Sequence, residues 1–201
     1  KVLDLGKDRD LTLWCSFLVA FYLMLRKSNV VPQAALKFDP NKQLSRDNFV
    51  VGRRVILVKL KWSKTNQFGQ RELVLPLLSI PGHPMCPVTH LQTMFKRINC
   101  SKSVSAFSFK ERGRWVCWTY SSWVQALRKL LELLGFSGKR WSGHSFRRGS
   151  ATFAFQCSVP GELIQLQGDW KSDAYKTYLK CSLKDKLRVA YLIRKRILLN
   201  S

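Results

Sequence analysis

A histidine and an arginine three residues apart, His144 and Arg147, are followed by an indole at Trp170 and a phenol at Tyr178. Residues three apart on a helix share a face, so His144 and Arg147 can address one ligand. Arg147 brings a planar fork of donors that suits two oxygens of a phosphate. His144 can donate to a non-bridging oxygen or move a proton, and the ring N–H of Trp170 can only donate. Tyr178 is the group whose side chain could form a covalent intermediate. Its ordinary pKa of about 10 means that attack at neutral pH needs positive charge nearby, which arginines supply. Taken singly, each residue is commonplace: a lone His or Arg is usually structural or solvated, and a Trp or Tyr usually belongs to the core. Their joint order describes a grip on a phosphodiester together with a nucleophile to attack it.

These residues need elements to hold them. Residues 137–140, Ser-Gly-Lys-Arg, read as a loop that delivers His144 to the start of its helix. Pro160 opens a second short helix, which Gly168 closes ahead of Asp169 and Trp170, and Ser172 is placed to cap a helix carrying Tyr175 and Tyr178. Further upstream, the apolar run over residues 11–25 reads as a buried helix capped by Asp10. Thr119 or Ser121 starts a core helix with Trp123, Leu127, Leu130, Leu131 and Leu134 at helical spacing, ending at Gly135. Residues 55–62 alternate as a β-branched strand, residues 71–77 form its partner, and residues 63–70, with Asn66 and Gly69, make the turn. Cys86-Pro87 marks another helix start. Residues 183–199 place Leu187, Ala190, Tyr191, Arg194 and Leu198 at helical intervals, to pack in their own core or on a neighbour. The fold class expected is α+β, mainly helical, with a small antiparallel sheet.

The chain has 201 residues, 46% of them hydrophobic, which suits one domain with a substantial core spanning residues 1–201. No run reaches the ~20 apolar residues that a membrane-spanning helix needs. Lys and Arg number 35 against 12 Asp and Glu, a formal net charge of +23. Such a surface repels itself unless a polyanion neutralises it, which agrees with a nucleic-acid partner, and no membrane is expected. The basic residues are spread along the chain, as a folded surface wrapped on DNA requires. Six cysteines, at 15, 86, 100, 117, 157 and 181, include no Cys-x-x-Cys pair and read as reduced intracellular thiols. The cluster of His83, Cys86, His90 and Cys100 matches no standard zinc spacing, so no metal is expected.

The block from His144 to Tyr178 resembles the catalytic signature of the tyrosine recombinase (phage integrase) family: His-x-x-Arg, then His or Trp, then a nucleophilic Tyr eight or nine residues on. Tyr178 follows Trp170 by eight residues and Tyr175 by five, which makes Tyr178 the match and Tyr175 the fallback. The wording from Trp170 to Tyr178 is similar to recombinases of DIRS-like and Crypton-like eukaryotic mobile elements, which implies a nuclear location. The resemblance also implies a first arginine, matched by Arg26 after the apolar helix, and a hairpin lysine, matched by Lys64 before the turn. In the family that lysine protonates the leaving 5′ oxygen. Three residues after the first arginine the family commonly has Glu, and here Asn29 stands. The implied activity is DNA cleavage and rejoining through a 3′-phosphotyrosyl link, without cofactor or small-molecule substrate, in a homo-oligomer, a tetramer, on double-stranded DNA. The family's N-terminal helical DNA clamp is absent from residues 1–201. The alternatives are a type IB topoisomerase-like enzyme and a domesticated DNA-binding module of weak activity, for which Asn29 speaks.

Overall fold

The computed structural model describes residues 2–62 and 73–179, with the side chain of Tyr178 outside that description. In chain order the elements are α1 (Asp8–Tyr22), α2 (Lys27–Val30), β1 (Phe49–Val51), β2 (Val55–Leu60), β3 (Leu73–Leu78), α3 (Pro87–Arg97), β4 (Phe109–Glu111), β5 (Arg114–Val116), α4 (Tyr120–Leu133), α5 (Ser145–Gln156) and α6 (Gly161–Gln167), followed by a 3-10 segment, Asp173–Tyr178. The class is mainly helical α+β, as the sequence patterning indicates.

Helix α1 is the axis of the core. Its buried residues run around the whole cylinder, from Leu11 to Ala20, as expected of a helix with neighbours on every side. Two of them are polar, and both are satisfied by indoles: Trp118 Nε1 donates to Thr12 Oγ1 at 3.2 Å and Trp123 Nε1 to Ser16 Oγ at 2.7 Å. These bonds tie the start of α4 to α1. The antiparallel sheet runs β1-β2-β3, with Ile56 opposite Leu77 and Val58 opposite Leu75, all four turned into the main core. A second two-stranded ribbon pairs β4 with β5. Cys86 caps α3, its Sγ accepting from Thr89 N, so the expected helix start is found there. Among the described residues Cys15, Cys86, Cys100, Cys117 and Cys157 are free thiols. No described helix is long and apolar enough to cross a membrane.

Helix ends depart from the sequence reading in instructive ways. Helix α1 starts at Asp8 with Lys7 at its cap position, while Asp10 lies in the first turn, where its charge favours the helix dipole and its carboxylate accepts from Asp4 N. It also stops at Tyr22 and not at residue 25. There the amide of Met24 bonds Phe21 O and that of Leu25 bonds Ala20 O, the paired reverse bonds of a Schellman termination. Met24 takes the left-handed conformation that glycine usually supplies, with φ 52°. Helices α5 and α6 end the same way on Ser158 (φ 65°) and Asp169 (φ 53°), and α4 ends on Gly135 (φ 82°) as the sequence suggests. On α4, Thr119 is the cap, and Trp123 and Leu127 are buried while Leu134 is exposed.

Ser158 and Met24 carry the same backbone strain in different surroundings, the first exposed and the second buried. Ser158→Gly should therefore raise stability by about 0.5–1 kcal/mol. Met24→Gly should lower it by about 1–3 kcal/mol, because the cavity left by a buried Met outweighs the strain relieved. Urea unfolding of the two variants measures both signs.

Candidate active site

The strained turn after α1 has a structural purpose. With Met24 in the left-handed region its carbonyl accepts a hydrogen bond from Arg147 Nη1 at 2.6 Å. Arg147 projects from the first turns of α5 into the interior and is only 4% exposed. A buried guanidinium is costly unless its donors are met, and a backbone carbonyl meets one without adding charge. The same turn leads within two residues to Arg26, which caps α2. The end of α1 and the start of α5 are thus joined through the group best able to hold a phosphate.

Over the other side of that guanidinium lies Trp170. The Arg147 Cζ is 3.7 Å from the Trp170 ring centroid, a cation–π contact in a desolvated place, worth about 2 kcal/mol. The Schellman end of α6 aims the ring: Asp169 N bonds Leu166 O, and Trp170 N bonds Gln165 O at 3.1 Å. Gly168, read from sequence as the helix stop, stands at the C-cap of α6 as expected and has a second task. Its φ of −85° is ordinary, but a Cβ there would overlap the Trp170 ring, so the ring lies flat on the glycine. Tyr175 backs Trp170 at 5.9 Å between ring centroids and is 3% exposed, its hydroxyl against Gly161 at the start of α6. Met24, Ala151, Ile164 and Tyr175 form a small apolar cluster separate from the main one.

His144 stands at the cap position of α5, exposed, with helix-like angles (φ −84°, ψ −13°). Its titration is shifted down from the ordinary imidazole value, first by partial burial and then by the charges of Lys27, Arg26, Arg147 and Arg148. Four cations therefore converge on one imidazole. Gly143 permits this, because a side chain there would collide with the Lys27 stem. Lys27 in turn lies over the Tyr120 ring at 4.8 Å. The result is an imidazole whose neutral form is favoured inside a concentrated positive field, an arrangement suited to an anion.

No protein-family model matches the chain, and no curated protein matches it. Solved structures do. The XerH site-specific recombinase bound to palindromic difH substrate, a post-cleavage complex, is 11% identical with a TM-score of 0.62 over 96% of this chain and 48% of that one. The Tn1549 transposon integrase in complex with circular intermediate DNA is 13% identical, with a TM-score of 0.55 over 93% of this chain and 59% of that one. The FLP recombinase in a Holliday junction complex is 14% identical at a TM-score of 0.50, over 89% and 42% of the two chains. The chain has the tyrosine recombinase catalytic-domain fold. It spans about half the length of the XerH chain, 48%.

Within the recombinase fold, four of the six residues singled out by sequence are gathered at one place: Arg26, His144, Arg147 and Trp170. Trp170 presents a ring face to Arg147, a contact not foreseen from its N–H. Tyr178 is the last residue of the Asp173–Tyr178 segment, which is a 3-10 turn and not the α-helix expected, with Ser172 Oγ accepting from Ala174 N. Lys64 and residues 183–199 lie outside the described residues. Asn29, in place of the family's common Glu, is buried and donates from Nδ2 to Trp62 O at 3.0 Å, while its carbonyl accepts from Leu44 N. It therefore fastens the Arg26 turn to the segment that leaves β2 towards Lys64. Sequence reading did not pick out Lys27, Arg148 or Met24. The first two adjoin Arg26 and Arg147, and that adjacency was the available signal; a methionine in the left-handed region has none.

The His144 shift has a defined sign. Because its pKa in the folded state lies below the unfolded value of about 6.5, stability should be complete above that pH and fall as pH drops through the folded value. An NMR titration of the ring should show a midpoint below 6.5, moved upward by Arg148→Gln and further upward by bound duplex DNA. Gly168→Ala should displace Trp170, seen as a changed indole fluorescence, and lower stability by about 1–3 kcal/mol.

Proposed function

We propose that this chain is the catalytic part of a DNA strand transferase that cleaves and rejoins DNA through a 3′-phosphotyrosyl link. The observation that carries the reading is the convergence of Arg26, Lys27, Arg147 and Arg148 on an exposed, neutral His144 in a fold shared with recombinases. Arg26 and Arg147 hold the non-bridging oxygens of the scissile phosphate, where preorganised positive charge matters most as the transition state gains negative charge. The Tyr178 oxygen bonds to phosphorus as the bond from phosphorus to the 5′ oxygen breaks. Neutral His144 takes the phenolic proton, and Lys64 gives one to the leaving oxygen. Trp170 keeps Arg147 in place. A 5′ hydroxyl from a second strand reverses the steps. The phosphodiester energy is conserved in the tyrosyl link, so the reaction needs no nucleotide cofactor. Double-stranded DNA is the partner, the working assembly is a homo-tetramer on it, and the setting is a eukaryotic mobile element acting in the nucleus.

A pool of nicked duplexes of random sequence, which trap the covalent intermediate by losing the freed strand, tests this. Wild-type protein should form a DNA adduct, Tyr178→Phe none, and Tyr175→Phe should retain it, with at most a loss of stability. No adduct from wild-type protein that binds the pool well would leave a DNA-binding module and remove the enzyme. Relaxation of supercoiled plasmid without strand exchange between two duplexes would instead place the activity with type IB topoisomerases. Arg147→Lys or Arg26→Lys keeps the charge but loses the fork, so cleavage should fall by about 2–3 kcal/mol of transition-state stabilisation while binding falls far less.

A further inference from the structure

The outward face of α5 forms the floor of a groove of about 640 Å³, of whose lining the chemistry above uses only Arg148. Ser145, Arg148, Gly149, Thr152, Phe153 and Gln156 line it at helical spacing, opposite to the buried Arg147, Ser150 and Ala151. The far wall is the segment after α4, with Phe136, Arg140 and Trp141. Phe136 is 56% exposed, Phe153 53% and Trp141 37%. Three large aromatic groups left in water beside two arginines make a mixed surface, too charged for a protein core and too aromatic for an ordinary solvated face. Arg140 and Arg148 are exposed. The wall is held in place, since Arg128 Nε donates to Trp141 O at 2.9 Å and Trp141 N to Gly138 O at 3.1 Å.

Gly149 is the second, independent sign. A glycine inside an α-helix costs about 1 kcal/mol relative to alanine, so its presence needs a reason. Close packing against another described element is not that reason: among the described residues, apart from its chain neighbours and the backbone of its own helix turns, no atom lies within 4 Å of where its Cβ would stand, and its φ is not positive. The residue lacks a side chain where one would project into the groove. Among the described residues the groove floor is therefore open at this point.

The groove also lies beside the site. Arg148 is one of the four cations acting on His144, and Thr177, also in the lining, directly precedes Tyr178. We propose that the groove receives an unstacked nucleobase from the DNA strand held at the His144 cluster, between aromatic walls and with arginines for the flanking phosphates. Aromatic side chains stack on any base, and arginine adds cation–π attraction and charge, the combination that holds single-stranded nucleic acid. The volume falls in the range of about 300–1,000 Å³ usual for sites that enclose a small ligand. The inference rests on the DNA reading above and adds local strand opening to it, since a base leaves the duplex stack before it can enter.

The test uses the full chain with an eight-nucleotide single-stranded oligo-dA, the same backbone with abasic residues, and a duplex. Wild-type protein should bind the base-bearing strand about tenfold tighter than the abasic one, the scale of one stacked base. Gly149→Leu should abolish that preference and leave abasic and duplex binding unchanged. It should also raise the melting temperature by about 2–3 °C, because leucine is the better helix former and fills empty space. Trp141→Ala should lower the preference as well, and a 5-iododeoxyuridine strand should photocrosslink to the peptides holding Phe136 or Trp141. Strong DNA binding with no base preference, or a preference that both variants retain with crosslinks elsewhere, would overturn the groove while leaving the strand-transfer reading intact. A melting temperature lowered by Gly149→Leu would show that protein atoms, of this chain or a second copy, fill the groove, and would overturn it too. Failure to bind any DNA would bring down the functional reading itself, and this inference with it.

Discussion

The bond from Arg147 to the Met24 carbonyl is the constraint on which the site depends. A guanidinium inside a protein needs its donors met and its charge tolerated, and few neighbours do both without neutralising it. A carboxylate partner would cancel the charge that, in the proposed reaction, a phosphate is to feel. A carbonyl and an indole face leave it intact. That explains why α1 ends on a strained methionine and α6 on a strained aspartate: both terminations aim neutral polar or aromatic groups at one cation. Strain of roughly 1–2 kcal/mol at each is a modest cost against a buried charge left unsupported.

The positive field has the same logic on a larger scale. Lys27, Arg26, Arg147 and Arg148 would spread apart if side chains alone decided, yet the backbone holds them near His144. Lys27 is held by its stem against Gly143 and its ammonium over Tyr120. Their mutual repulsion is a cost borne by the main core, which is built on α1 and the sheet. An arriving anion relieves it. Binding and preorganisation are thus two aspects of one electrostatic imbalance.

Much of the fold was legible. The pairing of β2 with β3 follows from the strand patterns of residues 55–62 and 71–77, and the starts of α3 and α4 from Cys86-Pro87 and Thr119. Arg26, His144, Arg147 and Trp170 could be grouped in advance because their types and order carry chemistry. What was hidden depended on tertiary geometry. No local pattern says that Met24 adopts φ 52°, that Gly168 is needed for clearance under a ring, or that Asn29 reaches Trp62 O. The end of α1 was placed three residues late for the same reason: the apolar run continues past Tyr22 because Leu23, Met24 and Leu25 are buried in the turn itself.

The division of the interior into two clusters has a dynamic consequence. Met24, Ala151, Ile164 and Tyr175 seal α6 and the Asp173–Tyr178 segment onto the body, whereas α1, the sheet, α3 and the start of α4 share a far larger core. Cooperative units of unequal size open at unequal free energies, so the small unit can come away while the large one stays folded. Trp170 belongs to the small unit and Arg147 to α5. Each such opening would therefore carry off the segment ending on Tyr178 and strip the cover from Arg147 in a single event. In the proposed reaction, the grip on phosphate and the delivery of the phenol would then be lost and regained together, an all-or-none switch set by four buried side chains.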